Sequence, residues 1–538
     1  MPRKPKTTNS KKAIKPKKTV SMEAALWAAA NNMRGSVSPV DYKNVVLPLI
    51  FLKYAGVRYE RQCAKIVSEG NEELMSDPVI APNLFLKDNV FYLTEKCRWS
   101  YIVENAKNDK IASIIDDALA EIEKLNKKAL GGALPVNYYA KSPMKKANLS
   151  SLIDEINKIP IGENDEKDII GRVYEYFLSR FALLEGKSKG EYYTPKCIVD
   201  LICELIQPYK GTIYDPACGS GGMFVQSVKF IESHSGNTQN VSIYGQEKED
   251  STYKLAKMNL AIRGITADLG ERADSTFTDD QHKLRKFDFI MANPPFNLKK
   301  WRAKNELTSD PRWAGYKTPS EGNANYAWIL HIVSKMSETN GCAAFLLSNG
   351  ALGGDDATEN AIREQLIKND LVEAIIVLPR DVFYTTDIST TIWVLTKNKK
   401  ARFCPDSKMK YRDRRGEVLF MDLRQFGAPY EKKFKQLTRE EISRVANTLH
   451  EWQSVNCKKK YKNIPEYCAS ATLEDIKNQK YVLAPSRYVK FKERSSTDGY
   501  NDRMKVYAKN MQQLLSQDNA NKEKLVKVFE RLGYGFKL

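Results

Sequence analysis

Histidine is scarce in this chain, with four among 538 residues, and His234, His282, His331 and His450 stand far apart. Nine cysteines occur, at 63, 97, 197, 203, 218, 342, 404, 457 and 468, and no two of them form a Cys-x-x-Cys pair. That spacing offers neither a zinc site nor a disulfide framework, so a reducing cytoplasm and no structural metal are expected. No apolar run approaches the ~20 residues a membrane helix requires, and the start of the chain lacks the apolar region of a signal peptide. Acid is short relative to base, 66 Asp and Glu against 85 Lys and Arg, for a net charge of +19. The imbalance is local. Residues 1–20 hold eight basic side chains and no acid, a run that reads as a solvated, disordered tail. A second basic segment, 397–415, has nine bases against Asp406 and Asp413 and is expected as an exposed loop open to DNA. What is present in quantity is hydrophobic material, 42% of the residues, enough for two or three domains with cores of their own.

The organising stretch is Phe287-Asp288-Phe289-Ile290-Met291-Ala292, an apolar strand that runs into Asn293-Pro294-Pro295-Phe296. A strand ending in such a turn delivers its next side chains to the carboxyl edge of a sheet, where α/β enzymes keep their chemistry. An Asn oxygen and a backbone carbonyl, each accepting one hydrogen, suit an exocyclic amino group whose lone pair must be localised before it attacks. Proline presents that carbonyl rigidly and brings no competing N–H, and a Phe offers a flat face to a base swung out of the helix. A plain Pro-Pro turn after a buried strand is the other reading.

A second stretch reads as strand, glycine turn and helix: Gly211 to Asp215, then Pro216-Ala217-Cys218-Gly219-Ser220-Gly221-Gly222, then Met223 onward. Such a turn lets backbone approach a ligand at a helix N-terminus. It is not the dinucleotide G-x-G-x-x-G pattern, because the carboxylate of Asp215 precedes the glycines. Glu247 closes the next strand, where an acid accepts ribose hydroxyl hydrogens. An ordinary tight βα turn is the alternative.

Asp215 to Phe224, with Gly190-Glu191-Tyr192-Tyr193-Thr194-Pro195 before it and Asn293 to Phe296 after it, resembles the S-adenosyl-L-methionine-dependent N6-adenine DNA methyltransferases. The order of the three stretches is similar to that in the modification subunits of type I restriction-modification systems, and Asn rather than Ser in first place favours adenine. Leu26-Trp27, Met33 to Ser36 and Tyr42 to Tyr54 resemble the N-terminal helical domain of those subunits. The resemblance implies an α/β fold, a seven-stranded S-adenosylmethionine-dependent methyltransferase sheet with an N-terminal helical domain and C-terminal helices. It implies catalysis by Asn293, Pro294, Pro295 and Phe296. Cofactor binding would fall to Glu191, Tyr192, Tyr193, Thr194, Pro195, Lys196, Asp215, Gly219, Ser220, Gly221, Gly222, Glu247 and Asp274, the last with Asp268 and Asp279 as nearby competitors. Its motif reads Glu-Tyr-Tyr-Thr-Pro where Gln-Phe-Tyr-Thr-Pro is commoner. The implied partners are double-stranded DNA, a specificity subunit, a second copy of the chain and a restriction subunit with translocase and nuclease functions.

The expected organisation is a basic tail over 1–20, a helical domain over 21–157, a catalytic domain over 158–471 and a helical docking segment over 472–538. Strands are expected near 211–215, 241–247, 266–270, 286–292, 341–348, 371–378 and 388–396, alternating with helices as a mostly parallel sheet requires. Thr194 and Pro195 read as cap and first residue of the following helix. The polar stretch 297–323, with Trp301 and Trp313, suits a DNA strand or the extruded base. His331 reads as a packed core residue rather than a general base. Helical spacing from Asp502 to Leu532 carries two apolar stripes that fit either the protein's own core or a partner. Competing readings are a methyltransferase that chooses its own DNA site, a cofactor-binding scaffold of a restriction complex, and methylation of a protein glutamine amide.

Overall fold

Runs of Val, Ile, Phe and Ala separated by helix-forming stretches fold as that alternation demands. The computed structural model describes residues 27, 39–77, 80–142, 144–159, 173–178, 180, 194–234, 236–354, 356–383, 389–430, 434–491, 500–531 and 535. Thirteen strands occur among them: β1 (Gly211–Asp215), β2 (Val241–Gly245), β3 (Ala267–Asp268), β4 (Phe289–Ala292), β5 (Cys342–Ser348), β6 (Val372–Val377), β7 (Thr390–Thr396), β8 (Arg402–Cys404), β9 (Met409–Tyr411), β10 (Glu417–Asp422), β11 (Ala428–Tyr430), β12 (Phe434–Gln436) and β13 (Cys468–Thr472). Nine pair into one sheet in the order β13-β10-β6-β7-β5-β4-β1-β2-β3.

All seven expected strands lie in this sheet, and β10 and β13 extend it beyond the expected edge. β1 is parallel to β2 and to β4, β4 to β5 and β6 to β10. β7 runs antiparallel between β5 and β6. Side chains on a strand point alternately to its two faces. On β5, Ala344 and Leu346 accordingly join the core beneath helices Lys196–Ile206, Gly222–Ser233 and Arg439–Gln453. Ala343, Phe345 and Leu347 join the opposite core with helices Asn325–Lys335 and Ala357–Lys368. The sheet is therefore covered on both faces.

Helices over Pro39–Ser68, Ile80–Lys87, Trp99–Glu104, Ile111–Leu125 and Lys146–Asn157 form the expected N-terminal helical layer. Ile111, Ile115, Leu119 and Ile122 line one stripe at helical spacing and are buried,. Lys53 is buried too, and its ammonium donates to the carbonyls of Ile156, Asn157 and Ile159 at 2.9, 2.8 and 2.7 Å, closing the end of helix Lys146–Asn157. Burial lowers its pKa to about 8. This layer shares its core with Leu255, Met258 and Ile262 of helix Asp250–Ile262, which follows β2. Most of residues 21–38 lies outside the described residues.

Two compact units divide the chain, Met1–Val489 and Lys490–Leu538, so the split falls later than the expected 471/472 boundary. The physical reason is packing at the sheet edge: Ile476 is fully buried, and the Tyr488 ring stacks on Phe420 of β10 at 3.9 Å. The second unit contains one 32-residue helix, Tyr500–Arg531. Along it Met504, Tyr507, Met511, Leu514, Leu515, Leu525, Val528 and Phe529 are exposed.

The basic segment 397–415 is not the loop expected to face DNA. β5 ends at Ser348 opposite Thr390, and Thr396 lies beside Cys342, so the chain leaves β7 at the amino edge of the parallel strands, away from Asn293. There β8 and β9 form a hairpin. Three cations of the segment are paired with the body of the fold: Arg414 with Glu373 at 2.8 Å, both 1% exposed, Lys399 with Asp370 at 2.7 Å and Arg412 with Glu417 at 2.8 Å, whereas Lys400, Lys408, Lys410 and Arg415 are exposed.

Candidate active site

β1, β4 and β5 all end at one edge, and the motif residues gather there. β4 hands over directly to Asn293, whose side chain is 8% exposed. Its Nδ2 donates to Thr194 Oγ1 at 2.9 Å. Its Oδ1 is buried and finds no hydrogen-bond partner among the described residues. A buried acceptor normally has one, so an unpaired amide oxygen at a strand end marks a place where a donor is to be received. Pro294 is buried and Pro295 half-buried. Phe296 is 6% exposed with its ring edge-on to Phe383 at 6.4 Å, so it packs into the wall of the site rather than standing out as an open platform.

The turn past this motif is pinned by residues that sequence reasoning did not single out. Asn297 accepts through Oδ1 from Asn325 Nδ2 at 2.9 Å and Ser348 Oγ at 3.0 Å, and its N–H donates to Asn325 Oδ1 at 2.9 Å. Asn325 opens a helix and Ser348 ends β5, so three elements hold the turn.

The cofactor-type turn is equally tied. Asp215, 1% exposed, accepts from the Ala217 N–H at 3.0 Å. Burial and then the nearby Glu247 charge push its pKa up to about 8. The Glu247 carboxylate accepts from the N–H groups of Gly219, Lys248 and Glu249 at 3.0, 2.8 and 2.9 Å. Gly219 has φ +55°, and a Cβ built there would meet nothing within 4 Å; its exposed flank is backbone that a ligand can approach. Gly221, at φ +79°, starts helix Gly222–Ser233. Ser220 is half-buried, and its carbonyl accepts from Asn259 Nδ2 at 2.7 Å.

Asp274 stands one hydrogen bond from Glu247, its N–H donating to the Glu247 carbonyl at 3.0 Å, whereas Asp268 caps its own turn at Gly270. Gln246, fully buried, joins the two loops: its side-chain nitrogen donates to the carbonyls of Asp274 and Asp279 at 3.1 and 2.7 Å. Thr276 Oγ1 donates to the Pro216 carbonyl at 2.6 Å. A buried Gln at the end of β2 was visible in the sequence, but only the fold shows what it bridges.

Glu191, Tyr192 and Tyr193 lie outside the described residues. Pro195 takes the cap position of helix Lys196–Ile206, and Thr194, expected as the cap, precedes it and accepts from Asn293 instead. Lys196 is exposed and pairs with Asp200 at 2.7 Å, one turn along. Trp301 and Trp313 are 7% and 3% exposed, each donating its indole N–H to a loop carbonyl, Ser320 and Leu307. Both belong to the core on one face of the sheet, Trp301 against Phe277 at 4.6 Å, and are not displayed to a base. His331 is fully buried between Tyr214 and Arg312, and burial holds its pKa well below the usual value, as expected of a packed residue.

The pattern of the family described as N-6 DNA Methylase matches residues 165–497, and that described as HsdM N-terminal domain matches residues 22–156. The chain is 46% identical over 385 residues to the type I restriction enzyme HindI methylase subunit of Haemophilus influenzae, covering 70% of this chain and 83% of that protein. It is 34% identical over 531 residues to the type I restriction enzyme MjaIX methylase subunit of Methanocaldococcus jannaschii, covering 96% and 92%. Its fold is similar to that of the type I restriction-modification methyltransferase subunit of Streptococcus thermophilus, with TM-score 0.72, 23% identity and coverage of 87% and 99%.

Proposed function

This chain belongs to the N-6 DNA methylase family, as a methylase subunit of the type I restriction-enzyme kind, and from that premise we propose how its own residues carry the transfer of a methyl group to the N6 amino group of adenine in DNA. The observation that carries the reading is the buried Oδ1 of Asn293, unpaired among the described residues. It accepts one hydrogen of the amino group while the Pro294 carbonyl accepts the other. Together they favour a tetrahedral nitrogen with a localised lone pair as the transition state forms. Phe296 supplies an apolar wall against the extruded base. No general base is required, because the proton is lost from a cationic nitrogen to water.

The donor we propose is S-adenosyl-L-methionine, which supplies an electrophilic methyl on a sulfonium. The residues present fit it. Gly219 to Gly222 offer approachable backbone at a helix N-terminus, Asp215 offers a buried carboxyl to a cation, and Glu247 and Asp274 line the adjoining edge for ribose and adenine. Pro195 closes the near side.

We further propose that a specificity subunit chooses the DNA sequence, that a second copy of this chain and a restriction subunit complete the assembly, and that it works in the cytoplasm. The exposed apolar stripe of helix Tyr500–Arg531 suits helix-on-partner docking. The basic tail over 1–20 adds nonspecific attraction for phosphate. The reading divides the chain functionally into a helical domain over 21–157, a catalytic domain from 158 and a C-terminal docking segment. Sequencing methylated bases in host DNA with and without this chain tests the proposal: loss of one N6-methyladenine motif is expected, and an unchanged pattern would sink it.

A further inference from the structure

We infer that Thr194 is the positioning residue that holds the Asn293 amide with its oxygen presented to the base, an inference that rests on the reading of Asn293 given above. An Asn side chain at a strand end is free to turn about its last bond unless a partner fixes the amide plane. Here the donor end is fixed. Nδ2 donates to Thr194 Oγ1 at 2.9 Å, while the acceptor end is buried and, among the described residues, unpaired. A threonine just ahead of a proline and a helix would ordinarily spend its hydroxyl on the helix N-terminus. In this chain the cap is Pro195, no side chain caps the helix, and the Pro195 carbonyl takes the N–H groups of Ile198 and Val199 at 2.9 and 3.2 Å. The Thr194 hydroxyl is thereby diverted from helix capping to the amide.

Helix Lys196–Ile206, which begins directly after Pro195, buries Cys197, Ile198, Leu201, Ile202 and Leu205, so a packed element follows Thr194 on its C-terminal side. The bond also acts in the right direction during the reaction. As positive charge develops on the base nitrogen, Oδ1 draws its hydrogen closer, the Nδ2–H becomes a better donor, and Thr194 Oγ1 accepts that polarisation, as linked hydrogen bonds do. The contribution therefore grows toward the transition state and appears in kcat. A threonine placed by resemblance on the cofactor side thus serves the base side, and the two motifs, 99 residues apart in sequence, are joined by one hydrogen bond.

The test is methyl transfer by the full chain, in the assembly in which wild type methylates DNA, comparing Thr194→Val and Thr194→Ser. Valine keeps the shape and loses the acceptor, and a roughly ten- to hundredfold fall in kcat is expected, with S-adenosylmethionine affinity by calorimetry and KM for DNA within about twofold. Serine keeps the hydroxyl and should restore most of kcat. If the valine variant does not fold, Thr194→Ala takes its place with the same expectation. In an Asn293→Ala background Thr194→Val should cost nothing further. An unchanged kcat in Thr194→Val, or an equal fall in Thr194→Ser, overturns the inference. Retention of activity by Asn293→Ala would instead overturn the assignment of Asn293.

Discussion

The backbone N–H of Gly219 donates to the Glu247 carboxylate at 3.0 Å, so the glycine turn after β1 and the acid after β2 are one structure. A methyl group at Gly219 meets no protein atom within 4 Å but must tolerate φ +55°, at a cost of about 1 kcal/mol. Gly219→Ala should therefore shift the melting temperature by only a few degrees. Gly219→Val should lose S-adenosylmethionine binding in calorimetry, because the added bulk fills the space the cofactor needs. Wild-type affinity in the valine variant would remove the turn from the cofactor site.

Asn293→Ala should lower methyl transfer by about a hundredfold or more, since one preorganised hydrogen-bond partner at the reacting atom is typically worth a few kcal/mol. Cofactor affinity should stay within about twofold, and single-turnover transfer alongside calorimetry separates the two.

Asp215 gives a pH dependence of known sign. Its carboxyl is raised from 3.8 to about 8 by burial and by Glu247. Stability contributed by this group is present below its unfolded pKa and is lost as pH rises through about 8. Melts of the cofactor-free protein should show wild type losing ground to Asp215→Asn between about pH 4 and 8,. Cofactor affinity should move the other way, rising in wild type over the same range as the carboxylate forms beside a cationic ligand, and staying flatter in Asp215→Asn. Parallel curves for the two proteins would contradict the assignment.

Arg414 and Glu373 form a buried pair supported by Gln453, whose Nε2 donates to Glu373 Oε1 at 2.9 Å. Arg414→Met leaves that carboxylate buried without its cation, and a loss of about 3–5 kcal/mol is expected in urea unfolding. The turnover of whatever protein remains folded should be near wild type, because the pair lies at the edge opposite Asn293.

The purified chain alone should bind duplex DNA weakly, with steep salt dependence, and should show little site-specific methylation until a sequence-reading partner is added. The 297–323 loop buries its tryptophans in the core on one face of the sheet, and the 397–415 bases lie at the far edge of the sheet, so neither is placed to read bases. Full-rate methylation of one defined sequence by the chain alone would reverse this expectation.

The strand before Asn293, the glycine turn and the seven expected strands are legible because each rests on local signals: continuous apolar runs, a Pro-Pro turn, glycines between strand and helix. What escaped depends on pairing between distant segments. β10 follows the β8–β9 hairpin and β13 follows helix Arg439–Gln453, and their membership of the sheet shows only when β10 is seen beside β6 and β13 beside β10. The cations of 397–415 looked exposed because Asp370 and Glu373, which neutralise two of them, lie some thirty to forty residues earlier. Trp301 and Trp313 read as available for stacking because a loop that packs on the sheet's core has no periodicity to show which side chains it buries. Thr194 was read as a helix cap from its neighbours, while its partner stands across the sheet.

The hairpin of β8 and β9 hangs from the amino edge, and its tip, with Pro405, Asp406 and Lys408 exposed, lies beyond the last paired residues Cys404 and Met409. It is therefore a handle. A fluorophore, an affinity tag or a small inserted domain at that tip would leave the catalytic edge untouched, and would let assembly on DNA be followed by light while the same molecules are assayed for methylation.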